Sequence, residues 1–136
     1  VYQAGTLSAN PVAMRAGLAT VQKCLKENVY AQLDDRAKWF AEELNSLFLE
    51  KEKAWKAMQY GSLFWIASSQ VENYRTPDDI AKDPSQNFNP LFLKLLSKGV
   101  YLAPNSFEVG FLSLAHTKEV LQKTLDVFAE TLEELN

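Results

Sequence analysis

Two lines of apolar side chains at helical spacing bracket this sequence: Leu33, Ala37, Phe40, Leu44 and Leu47 in its first half, and Leu121, Leu125, Phe128, Leu132 and Leu135 at its end. Steps of three and four residues place each set on one face of a helix. Asp34, Asp35, Lys38, Glu42 and Glu43 fill the solvated face of the first. Between these lines the period changes. The stretch GSLFWIASS, Gly61 to Ser69, is short, aromatic and apolar on both faces, which reads as a buried strand. Short strands are also expected over Gly99 to Ala103 and Gly110 to Ala115. Strands that arrive after helices, and are too few to alternate with them as βαβ units, predict an α+β fold. The expected form is a small, mainly antiparallel sheet with helices packed on one face.

Capping residues mark the helix ends. Asn10 suits an N-cap and Pro11 the first helical position, where a missing N–H costs nothing, so a helix is expected from Pro11 to about Leu25. It carries an apolar stripe, Met14, Leu18, Val21 and Leu25, beside a stripe of small side chains, Ala13, Gly17, Thr20 and Cys24. Asn89 and Pro90 predict the start of another helix, with Phe92, Leu95 and Leu96 inside it and Gly99 as its stop signal. Thr117 caps the final helix. The acidic run TPDDIAKD resembles a metal loop only superficially. Thr76 as N-cap, Pro77 at the first position, and Asp78 and Asp79 facing the positive end of the helix dipole account for it.

Composition narrows the function classes. A length of 136 residues fits one domain with a real core. A net charge of −3 offers no basic face for a phosphate backbone, so nucleic acid is not an expected partner. Cys24 is the single cysteine, which rules out an intramolecular disulfide and the usual cysteine-based zinc site and fits a reducing, cytoplasmic setting. No apolar run approaches the roughly 20 residues of a membrane span, so no membrane is expected. Val1 opens neither a signal pattern nor a natural start, which points to a piece of a longer protein.

Three places invite a chemical reading. His116 is the single histidine, without a second histidine or cysteine pair to share a metal. Ser106 and Ser113 lie near it but lack a strand-turn-helix nucleophile elbow, so His116 reads as structural. In AGTLSANPVAM, Asn10 and Pro11 already supply the helix start, which leaves Gly5, Thr6 and Ser8 without a task. Gly5 permits close backbone approach to a ligand, and Thr6 offers a hydroxyl and an N–H near a helix N-terminus, where phosphates bind well. A polar turn explains the same residues. In GVYLAPNSFEVGF, Glu108 stands between apolar residues in a loop bounded by proline and glycine, where a carboxylate is either partnered or raised in pKa, or else simply exposed.

Taken together and in this order, GTLSANPVAMRAGLAT and GVYLAPNSFEVGFLSLAHT resemble two segments of the glutamate-1-semialdehyde 2,1-aminomutase family, fold-type-I pyridoxal-phosphate enzymes of the class III aminotransferase group. YGSLFWI is a weaker match between them. The first motif is shared in looser form by the wider class III group, and the second is far more specific. Ala9 stands where the family usually has glycine, and Asn105 and Ser106 replace its usual Ser-x pair.

The resemblance implies a homodimeric enzyme that binds pyridoxal phosphate or pyridoxamine phosphate. Its small-molecule amino-acid substrate, glutamate-1-semialdehyde, becomes 5-aminolevulinate for tetrapyrrole synthesis. Gly5 and Thr6 would donate to the cofactor phosphate held mainly by the other subunit, and Glu108 would stand near the substrate's amino groups. The family's cofactor-holding lysine lies upstream, in the large domain. Residues 1–25 would then be the phosphate loop and connecting helix at the tail of that domain, and residues 26–136 the small C-terminal α+β domain, inactive alone. Ordinary class III aminotransferases grip a substrate carboxylate with an arginine near the chain end, because a guanidinium forks onto a carboxylate. Arg15, Arg36 and Arg75 are the arginines here, none in the Glu108 loop, which favours the mutase. A class III aminotransferase fragment and a non-catalytic helical interaction module remain the alternatives.

Overall fold

The structure, a computed structural model, describes residues 4–81 and 88–135. Its elements run α1 (Pro11–Lys26), α2 (Val29–Glu50), β1 (Trp55–Tyr60), β2 (Leu63–Ser68), α3 (Pro77–Ala81), α4 (Phe88–Ser97), β3 (Gly110–Phe111) and α5 (Lys118–Glu134). The three strands form one antiparallel sheet in the order β1-β2-β3, so the α+β expectation holds. Ala57 opposes Ile66 and Gln59 opposes Phe64, which turns Trp55, Ala57, Phe64 and Ile66 toward one face. Across that face lies α2, whose Ala37, Phe40, Ala41, Leu44 and Phe48 are buried. Behind it α5 contributes Leu121, Leu125, Phe128 and Leu132, and α4 contributes Leu91 and Leu95, to the same core.

The helix starts follow capping chemistry. The Asn10 carboxamide accepts from the N–H groups of Val12 and Ala13 at 3.0 and 3.1 Å, and the Thr117 hydroxyl accepts from Val120. Gly99 ends α4 with φ +86°, a left-handed conformation that lets Val100 N–H reach back to the Leu95 carbonyl. The expected start of α4 at Asn89 and Pro90 is corrected: the helix begins at Phe88, and its cap falls outside the described residues. Pro90 then sits in the first turn, where its N–H would have had no partner within the helix.

The strands needed larger corrections. β1 was not expected, because WKAMQY shows neither a clean apolar run nor a clean alternation. It exists through its partners: β2 on one side, and on the other the Asn45 carboxamide of α2. That side chain accepts from Ala57 N–H and donates to the Ala57 carbonyl at 2.8 and 2.9 Å, satisfying the sheet edge. The strand expected at Gly99–Ala103 is a loop, and that at Gly110–Ala115 shrinks to Gly110–Phe111, extended by one bond from Leu112 N–H to Ser62. No described neighbour pairs with these segments beyond β2, and a strand without a ladder leaves its backbone to loop geometry.

The α1 stripe is the remaining surprise. Met14, Leu18, Val21 and Leu25 are all exposed, and α1 buries no residue.

Candidate functional site

An open cavity of about 580 Å³ lies between the core face of β2, the loop from Gly99 to Gly110 and the start of α5. Aromatic and aliphatic side chains make most of its wall, with Tyr101, Asn105, Glu108, His116 and Thr124 as side chains that carry a hydrogen-bonding group. The lining contains neither lysine nor arginine. Glu108 is its one acidic side chain.

The loop that carries Glu108 is held from within and from behind. The Asn105 side chain accepts from Phe107 N–H at 2.9 Å, an Asx-type turn, while the Asn105 carbonyl receives Glu108 N–H at 3.4 Å. From the opposite face of the sheet, the Trp65 indole N–H donates to the Ser106 carbonyl at 2.6 Å. Trp65 in turn packs edge to face on Tyr74, with ring centres 4.8 Å apart. On the far side, Gly110 lies directly against the Phe64 ring. Glu108 itself is exposed and makes no ion pair among the described residues.

His116 closes the other rim. Its Nδ1 accepts from Ser113 N–H at 2.9 Å and lies 3.2 Å from the Ser113 hydroxyl, an arrangement that places the proton of the neutral ring on Nε2. Arg36 on α2 donates to the carbonyls of Leu114 and His116 at 3.1 and 2.7 Å and so ties this loop to the helix layer. Sequence separations of 78 and 80 residues hid that role; nothing local marks Arg36. The Trp65 contact spans 41 residues and was equally invisible, although a tryptophan in a strand does carry a donor that needs a partner once buried.

Gly5 and Thr6 take no part in the lining of this cavity. They sit in an exposed turn before α1, closed by Ser8 N–H to the Gly5 carbonyl at 3.0 Å. A Cβ at Gly5 would come within 2.6 Å of the Ser8 hydroxyl oxygen, which would have to rotate aside. The Asn10 carboxamide takes the amides of Val12 and Ala13, and Thr6, exposed in the turn before them, carries a hydroxyl and an N–H. Their chemistry suits a phosphate oxygen.

No group of three or more potential metal ligands occurs among the described residues, and no described helix is long and apolar enough to cross a membrane.

This architecture matches part of several solved transaminases. A β-phenylalanine aminotransferase from Variovorax paradoxus superposes with a TM-score of 0.83 over 98% of this chain and 30% of its own, at 23% identity. An omega-transaminase from Sphaerobacter thermophilus gives 0.74 over 99% and 30%, also at 23% identity. At such identities the likeness is one of fold: this is a transaminase-type α+β unit. In sequence the kinship is narrower. The glutamate-1-semialdehyde 2,1-aminomutase of Leptospira biflexa is 45% identical over 135 residues, 98% of this chain and 32% of that protein. That of Bdellovibrio bacteriovorus is 44% identical over 133 residues, 98% of this chain and 31% of its own length. The chain belongs to the glutamate-1-semialdehyde 2,1-aminomutase family and spans about a third of the length of the curated relatives it matches. No protein-family model matches it.

Proposed function

We propose that this chain is the C-terminal part of a pyridoxal-phosphate-dependent aminomutase that converts glutamate-1-semialdehyde to 5-aminolevulinate, acting as a homodimer in the cytoplasm. The observation that carries this is the 45% identity to an enzyme of that name across 98% of the chain. The cavity adds chemical support. An acid without a neighbouring cation suits a substrate that presents amino groups, whereas an ordinary class III aminotransferase grips a substrate α-carboxylate with a guanidinium.

In this proposal Glu108 faces the substrate amino groups, where its carboxylate accepts hydrogen bonds from them and holds or releases a proton. Gly5 and Thr6 donate to the cofactor phosphate across the dimer, a reading that agrees with their exposure and with their absence from the cavity lining. The cofactor, when bound, supplies the electron sink for the amino-group chemistry. The lining has no lysine to hold it, which agrees with a lysine outside this chain. Residues 1–25 close the large domain, and residues 26–136 form the small one.

Glu108→Gln in the full-length enzyme tests the assignment. Cofactor binding should be retained and turnover should fall by about a hundredfold or more, the scale of a lost general acid or base. Unchanged turnover, or loss of cofactor instead, overturns the role. Amino transfer to an external keto acid at a rate exceeding isomerisation would favour an aminotransferase.

A further inference from the structure

We infer that Trp65 is the positioning residue for Glu108, fixing the loop that presents this carboxylate to the cavity; the inference rests on the role proposed for Glu108. The geometry carries it. Glu108 is exposed, and its side chain makes no ion pair among the described residues, so its position is set by its backbone. Within the loop, Asn105 supplies only local bonds, to Phe107 and Glu108. The Trp65 indole donating to the Ser106 carbonyl, two residues before Glu108, joins that turn to the sheet across a separation of 41 residues. The indole is itself anchored by its place in β2, opposite Met58, and by the edge-to-face contact with Tyr74. Hydrogen bonding from a rigid strand to a catalytic loop is the means by which a supporting residue holds an exposed group in a productive geometry.

Trp65→Phe keeps an aromatic ring against Tyr74 and removes the donor. In the full-length enzyme, amide exchange at Phe107 and Glu108 should quicken and kcat should fall, each by about three- to tenfold, the range for losing one neutral hydrogen bond. KM and cofactor affinity should stay unchanged. In a Glu108→Gln background the same substitution should lower kcat no further, because it acts through the group already removed. Unchanged amide exchange at those two positions overturns the inference. A kcat loss that adds in full to that of Glu108→Gln also overturns it and identifies a general structural role. If Glu108→Gln alone leaves turnover intact, the proposed role of Glu108 fails, while the amide exchange still decides whether Trp65 holds the loop.

Discussion

The ring of Phe64 on β2 occupies the space that a side chain on Gly110 of β3 would need. Phe64 is also edge to face with Phe40 of α2, with ring centres 5.3 Å apart, so it cannot retreat without disturbing the helix that covers the sheet. The one strand pair next to the Glu108 loop thus closes only because position 110 lacks a Cβ.

Gly110→Ala should therefore destabilise the fold by about 1–3 kcal/mol, the cost of overpacking a filled core. Denaturant unfolding of the variant measures it. Phe64→Leu placed on the alanine background should recover part of the loss by making room, whereas a purely conformational penalty at position 110 would not respond to the size of residue 64.

Thr131→Val should have the opposite sign. Thr131 is fully buried in α5, and its hydroxyl has no hydrogen-bond partner among the described residues, an uncompensated desolvation beside an apolar core. Valine has nearly the same shape and removes the hydroxyl. Stability should rise by about 1 kcal/mol, seen as a higher denaturation midpoint at constant slope, and Thr131→Ser, which keeps the hydroxyl and opens a small void, should lower it.

Acid should loosen the C-terminal end of α5. Hydrogen bonding to Lys51 lowers the pKa of Glu133, and hydrogen bonding to Lys98, then to Lys94, lowers that of Glu134. Depressed carboxylates stabilise the fold above their unfolded value, near 4.3, and that contribution disappears as pH falls through the lower folded value. The partners act at the other limit. Lys51 is raised by Glu133 and Lys98 by Glu134, so their contribution is complete below the unfolded lysine value and is lost as pH rises through the folded one. These pairs join α2 and α4 to α5 at exposed sites, which makes the effect small and sensitive to salt. Glu134→Gln should flatten the acid limb of a stability profile; an identical limb in the variant would remove the Glu134 pairs with Lys94 and Lys98 as its cause.

Thr6→Val in the proposed full-length dimer deletes a donor to a charged phosphate oxygen, a loss of about 1.5–3 kcal/mol, and cofactor affinity should fall by roughly ten- to a hundredfold or somewhat more. A hybrid dimer tests the direction of that contact. One subunit carries Thr6→Val and the other lacks the upstream cofactor lysine. If Thr6 acts across the interface, the site with an intact lysine borrows an intact threonine, and activity returns under limiting cofactor. Failure to recover in verified hybrids would refute the cross-subunit assignment.

What the sequence determined by itself is local. A helix satisfies its backbone within its own segment, so the apolar line through Ala37, Phe40 and Leu44, the Asn10 and Thr117 caps and the Gly99 stop could all be read from neighbouring residues and are found where expected. The α+β class followed from the change of period at Gly61–Ser69, and kinship followed from two motifs. Strands and loops obey different physics, because their hydrogen bonds close only on distant segments. Trp55–Tyr60 became a strand through β2 and the Asn45 side chain, Gly99–Ala103 failed to become one for want of a partner, and α4 began a turn-fraction early at Phe88. The surroundings of Glu108 are likewise tertiary. Its residue type stood out in the sequence, but the Trp65 bond to Ser106, the Phe64 ring against Gly110 and the Arg36 bonds to the His116 loop join residues far apart in the chain, and only folding brings them within hydrogen-bonding or packing distance.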